Sequence, residues 1–276
     1  MHDWPARELL DYGNAVLGAL RPGMVYVGGT DNGRWIPELL NDTSDGERHI
    51  VLTQNGLADS TYLDYVRLQY EERLKTLTEE EFQNAFSTYM ADASRRLDHD
   101  EKFRDEPRQL IPGEVVQRTA DGRVDVSGQV AVMSINEKLL KALMAKNPET
   151  AFALQESFPL RGTYGEAVPL GPLMELGAKG EGNGFTAERA TETLSYWRGV
   201  PDQIRADPAA PASESALKSY SHDTASAANL LAAHAFASEA EQAYRLATEV
   251  WPGNPEAVAG LAELLSRSGR PTEAAR

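Results

Sequence analysis

The 276-residue chain has no cysteine, which excludes disulfides, thiolate metal ligands and cysteine nucleophiles, and leaves the compartment open. It is short of positive charge: 27 Lys and Arg stand against 42 Asp and Glu, a formal net charge of −15. Phosphate neutralisation needs a basic face that such a chain does not supply, so no nucleic-acid partner is expected. No run approaches 18 consecutive apolar residues, so no membrane span is expected. Met1-His2-Asp3-Trp4-Pro5 lacks the basic-then-apolar order of a secretory leader, and none is expected.

The recurrent catalytic signatures are missing as well. No strand is followed by G-x-G-x-x-G or by G-x-x-x-x-G-K-[ST], so a nucleotide cradle has no support. No G-x-S-x-G elbow occurs, and the five histidines are scattered without an H-E-x-x-H. Asp98-His99-Asp100-Glu101 lacks the alternating ligands and central glycine of a calcium loop and reads as a solvated helix end. No cofactor, no metal and no catalytic residue is assigned.

What is present is architecture. A hydrophobic share of 41% suits a globular chain, and the length suggests about two domains. Leu9, Val16, Leu17 and Leu20 have helical spacing, followed by short apolar runs at 24–27, 49–53 and 151–154 that read as buried strands. Helices are expected around 36–40, 59–75, 78–97 (with a Thr78/Glu81 capping box), 134–146 (with a Ser134/Glu137 box) and 186–199 (capped by Thr186). Residues 114–118 and 123–127 flank Asp121-Gly122 as a hairpin, and 177–186 reads as a glycine-rich loop. This alternation predicts an α/β fold with a small, mostly parallel, Rossmann-like sheet in residues 1–206. A linker at 207–220 and an all-α tetratricopeptide-like helical hairpin at 221–276 are expected to follow. In a period of about 34 residues, Ala228, Ala240, Tyr244, Ala247 and Pro252 fill the small and apolar slots of one repeat over 221–254. Val258, Leu261, Ala262, Gly269 and Ala274 continue the register through part of a second, although Thr224 stands where a bulky aromatic is usual. Such arrays need about three repeats to stand alone. The helices are therefore expected either to continue in a longer chain or to lean on the N-terminal domain.

In open parallel sheets, ligands bind beyond the carboxyl ends of the strands. Those ends carry Gly28-Gly29-Thr30-Asp31-Asn32-Gly33-Arg34, Gln54-Asn55-Gly56 with Tyr62 nearby, and Gln155-Glu156-Ser157. The candidate ligand-binding set is Thr30, Asp31, Asn32, Arg34, Gln54, Asn55, Tyr62 and Glu156, with the carboxylates and amides hydrogen-bonding a small molecule, glycan or peptide. The same residues also read as helix caps and turns. An enzyme would use Asp31 and Glu156 as an acid/base pair on a glycan. A purely structural scaffold is the third possibility.

Residues 25–34 and Leu52-Thr53-Gln54-Asn55-Gly56-Leu57-Ala58-Asp59-Ser60-Thr61-Tyr62 resemble the soluble C-terminal region of certain bacterial membrane proteins. Those proteins are similar to protein O-mannosyltransferases, and some carry tetratricopeptide repeats. The resemblance covers roughly residues 5–176, with about 20 specific positions. It implies an envelope-associated, extracytoplasmic location and a binding role, and it assigns no catalytic residue. The leading expectation is a non-catalytic module that binds a glycan or peptide and recruits a protein partner through its helical repeats.

Overall fold

The computed structural model describes residues 7–29, 31–46, 48–70, 72–159, 161–177, 184–208 and 210–274. Its elements are α1 (Arg7–Ala19), β1 (Val25–Gly28), α2 (Asn32–Asp42), β2 (Ile50–Thr53), α3 (Ser60–Tyr70), α4 (Glu79–Lys102), β3 (Val115–Arg118), β4 (Val124–Ser127) and α5 (Gln129–Lys146). There follow β5 (Phe152–Leu154), β6 (Val168–Leu170), β7 (Leu173–Leu176), α6 (Ala187–Ala206), α7 (Glu214–Ala233), α8 (Ala237–Val250), α9 (Pro255–Arg267) and α10 (Pro271–Ala274). The fold is α/β, and the chain divides into two compact units. One joins 1–53 to 150–276, and the other is 54–149. This division falls elsewhere than the boundary at 206 expected from composition, because the sheet is assembled from both sides of the 54–149 segment.

The first unit is built on a five-stranded sheet in the order β2-β1-β5-β7-β6. β1 pairs in parallel with β2 (Val25 opposite Ile50) and with β5 (Val25 opposite Phe152). β5–β7 and β7–β6 are antiparallel, so the sheet is mixed rather than mostly parallel. The antiparallel half comes from a hairpin turning at Gly171-Pro172, absent from the expected elements. Its strands are only three and four residues long, and Pro169 argues against a strand except at a sheet edge, where β6 lies. Every residue of β1, β2 and β5 is buried, the signature of strands covered on both faces.

Side chains alternate across a strand, so Tyr26, Val51 and Ala153, which are register partners, share one face. They form one core cluster with Tyr12 and Val16 of α1, Trp197, Val200 and Ile204 of α6, and Tyr220 of α7. α7 also contributes Ala225, Ala228 and Leu231 to a second cluster with Ala240, Ala243 and Tyr244 of α8 and Ala257 of α9. One helix therefore belongs to both cores, and the C-terminal helices lean on the sheet. Residues 214–220, expected as linker, are the first turns of that helix. Ser213 caps it by accepting from the Ala216 N–H at 3.3 Å. α7 and α8 run antiparallel: Ser221 Oγ donates to the Ala247 carbonyl, and Tyr244 Oη donates to Asn229 Oδ1. Thr186 caps α6, as expected. Residues 178–183 of the expected glycine-rich loop lie outside the described residues.

The second unit contains α3, α4, α5 and the β3–β4 hairpin, all anticipated as elements. The Thr78/Glu81 capping box opens α4, with the Thr78 N–H donating to Glu81 Oε2 at 2.7 Å. The Ser134/Glu137 box does not form. α5 starts at Gln129, and Ser134 Oγ donates back to the Val130 carbonyl at 2.8 Å, as a hydroxyl does inside a helix. Buried Arg96 donates to Glu114 at 2.9 Å and to Asp92 at 2.9 Å, and Tyr89 also donates to Glu114, pinning the segment before β3 onto α4.

Candidate functional site

The order of the strands creates a crevice. From β1 the chain goes through α2 to β2 on one side, and later adds β5 on the other side of β1. Adjacent strands whose connections leave in opposite directions separate at their carboxyl ends, and ligands bind at such points. Here the ends are Gly28-Gly29 and Gln155-Glu156-Ser157, tied together where the Gln155 N–H donates to the Val27 carbonyl at 2.8 Å.

The two loops approach too closely for side chains on the glycines. A Cβ on Gly29 would lie 1.3 Å from Ser157 Oγ, and one on Gly33 would lie 2.2 Å from the Gln155 amide carbon. That approach lets Ser157 Oγ donate to Asp31 Oδ2 at 2.7 Å, while Asp31 Oδ1 caps α2 by accepting from the Gly33 N–H at 2.9 Å. The cap and turn reading of this loop therefore holds for Asp31, which also faces open space.

That space is a cavity of about 370 Å³, lined on the sheet side by Tyr12, Asp31, Asn32, Gly33 and Gln155. The helical side supplies Lys218, Ser219 and His222 of α7, with Trp251, Asn254 and Glu256 from the α8–α9 connection and the start of α9. Its volume falls within the range of small-molecule sites. A hollow of about 490 Å³ along residues 100–110 of the second unit is larger, but its lining is wholly exposed or half-buried. It offers no desolvated polar group, so the crevice is the better candidate.

Behind Tyr12 and Gln155 lies Asp223, 2% exposed. Its Oδ2 accepts from Tyr12 Oη at 2.6 Å and its Oδ1 from Gln155 Nε2 at 2.8 Å. Burial raises its carboxyl to about 6, against the lowering effect of nearby His222 and the two hydrogen bonds. His222 Nδ1 faces Glu256 Oε2 at 3.3 Å, and its Nε2 faces the Glu156 carbonyl. Both partners are acceptors, so both ring nitrogens donate and the ring is an imidazolium. Burial opposes that charge, but Glu256 outweighs it, with Asp223 and Asp31 adding, and His222 is raised to about 10. Gln155 Oε1 is buried without a hydrogen-bond donor. A buried acceptor left unmade costs about 1–3 kcal/mol.

Of the expected site residues, Asp31 and Asn32 line this cavity, and Thr30 lies outside the described residues. Arg34 does not join them. Its guanidinium turns back to the Gly29 carbonyl (2.8 Å) and Glu38 (2.5 Å) and lies 3.9 Å from the Trp35 ring centroid. Glu156 is also a correction. Gln155 and Ser157 point toward the cavity side, so the intervening side chain points away. It is 1% exposed, accepts from Tyr164 Oη at 2.7 Å and lines a separate hollow of about 10 Å³. The proposed acid/base pair is thus not assembled in one cleft. Gln54, Asn55 and Tyr62 belong to the second unit. There Gln54 is buried in the turn after β2, Asn55 Oδ1 is buried without a donor, and Tyr62 stands on α3 with its ring 6.1 Å from that of Tyr65.

Tyr12, Gln155, His222, Asp223, Trp251 and Glu256 were not expected in the site. One signal was available: Ser221-His222-Asp223-Thr224 is a polar run in mid-helix, coinciding with the missing aromatic at Thr224. Among the described residues, no group of three or more His, Asp or Glu side chains is disposed to hold a metal ion, and no helix is long and apolar enough to cross a membrane.

The fold and cavity define an α/β unit with a crevice at its strand-order reversal, lined by polar side chains set in a largely apolar surface. Comparison of the chain with family models, curated proteins and solved structures finds no significant match to any of them.

Proposed function

We propose that the protein is a non-catalytic, envelope-associated binding module, whose crevice holds a glycan or peptide and whose C-terminal helices recruit a protein partner. The observation that carries the ligand half is the cavity of about 370 Å³ between the ends of β1 and β5, with Asp31, Asn32 and Trp251 in its wall. Carboxylates, amides and hydroxyls line that cavity together with Trp251, the mixture that polar hydroxylated or amide-bearing ligands require. Support for the recruiting half is the antiparallel α7–α8 pair with Ala228, Ala240, Ala243 and Ala247 all buried at the helix contact, as in a tetratricopeptide-like hairpin. Val258 of α9 is 51% exposed and suits a partner-facing surface. The Rossmann-like reading of the sheet rests on its parallel half, β2-β1-β5, and the envelope location on the resemblance of residues 25–34 and 52–62.

Glycan and peptide arrays probed with the intact protein and with Ser219→Trp test the ligand half. Ser219 is half-buried in the cavity wall, so a tryptophan there occupies the cavity without entering the core. Array ligands captured by the wild type are expected to be lost by the variant at unchanged thermal stability. Retention by both proteins would place binding elsewhere.

A further inference from the structure

One helix of the 54–149 unit carries apolar side chains on two faces. Leu63 and Val66 of α3 are buried and anchor it, while Tyr65 and Leu68 point outward at 53% and 83% exposure. Among the described residues, no large apolar side chain is more exposed than Leu68. Positions 61, 65 and 68 follow the four-then-three spacing of one helical stripe, so exposed Thr61, Tyr65 and Leu68 form a continuous ridge. The Tyr62 ring, 6.1 Å from that of Tyr65, lies at its edge. A single exposed leucine is ordinary, but an apolar ridge along one helix is a contact surface. Asp64 and Arg67 run along one border of the ridge, ion-paired to each other and both exposed. That border is neutral, on a chain whose net charge of −15 elsewhere opposes contact between copies. Acid and base three positions apart are also self-complementary. A second α3 laid antiparallel about a two-fold axis near Tyr65 sets Asp64 opposite the partner's Arg67, and Arg67 opposite the partner's Asp64.

We infer that this ridge is covered by a second copy of the chain: two protomers pair through antiparallel α3 helices, with Tyr65 and Leu68 packed in the seam and Asp64 and Arg67 paired across it. A partner charged with one sign finds no net charge to match on this border, whereas the helix's own image satisfies both residues. An 11-residue helix is about 16 Å long, so one of its faces offers less than the ~800 Å² per partner of a standard interface. The association is accordingly weak and depends on concentration.

Analytical ultracentrifugation of the full chain tests this, with protein between about 10 and about 500 µM at low ionic strength. The average mass is expected to rise from that of the monomer toward that of the dimer across the range. Leu68→Glu is expected to weaken association about tenfold or more at an unchanged melting temperature, because the side chain it replaces is exposed. Asp64→Arg and Arg67→Asp each set like charges across the seam, and each is expected to weaken association about threefold or more. An equimolar mixture of those two variants is expected to recover it, since every charge in the mixed dimer then meets its opposite. A monomer at every concentration overturns the inference. A dimer that survives Leu68→Glu overturns it by placing the contact on another face, and one indifferent to both charge reversals overturns the antiparallel pairing.

Discussion

Asp223 sits in mid-helix on α7, inside the segment 221–254 that the sequence marks as one helical repeat. Burial raises its carboxyl from the ordinary value of 3.8 to about 6. A carboxyl raised in the folded state stabilises the protein below its unfolded value, and that contribution disappears as pH rises through about 6. Near-neutral solution therefore holds a buried carboxylate at a cost of about 3 kcal/mol. The groups facing it are Tyr12, Gln155, His222 and Asp31, and His222 remains protonated throughout this range. Asp223→Asn keeps an acceptor for Tyr12, and the amide it introduces can donate to Gln155 Oε1 once that side chain flips. Urea denaturation should show the variant gaining on the wild type between pH about 4 and about 7, by up to about 3 kcal/mol. A difference that is flat with pH would mean that the carboxyl titrates normally. Of the residues in the crevice, those legible in sequence were Asp31 and Asn32, because strand-end loops announce themselves by their glycines and caps. For His222 and Asp223 the polar run 221–224 in mid-helix is the one mark, because helical spacing by itself does not show that a polar residue is buried. Glu156 and Gln155 are neighbours at the end of β5, and strand alternation decides that Gln155 rather than Glu156 lines the cavity.

Among the elements, the turn from β1 into α2 does the most to shape the site, and its glycines serve close approach. Gly29→Ala drives a methyl into Ser157, which is itself tied to Asp31, and should destabilise by roughly 1–3 kcal/mol by chemical denaturation. Gly18→Ala on α1, where nothing lies within 4 Å of the added atom, is the control and should be neutral or stabilising by up to about 1 kcal/mol. Equal effects at the two positions would mean that the loops can part freely. The helices and the 115–118/124–127 hairpin were legible because caps, apolar periodicity and Asp-Gly act locally. The β6–β7 hairpin was not, since Pro169 and strands of three or four residues carry no alternation, and partner β5 supplies the reason for them to be extended. Nor was the start of α7: alanine and serine there looked like linker, and burial of Ala216 and Tyr220 comes from the sheet.

For the molecule as a whole, the deficit of basic residues acquires a location. Part of the −15 lies in the crevice itself, where carboxylates outnumber the cations that face them. The absent cysteine has a counterpart in the same place, a site made of carboxylates, amides, hydroxyls and one imidazolium. The 54–149 segment interrupts in sequence a sheet that is continuous in space, which composition along the chain does not reveal. The central claim is that the strand-order reversal between β1 and β5 holds the ligand. Backbone and side-chain amide shift mapping of the full chain, titrated with an array-selected ligand, tests it most directly. The largest shifts are predicted at the Gly33 amide, the Gln155 side-chain amide and the Trp251 indole. Saturable binding whose shifts fall within 54–149 and spare those three groups would contradict it.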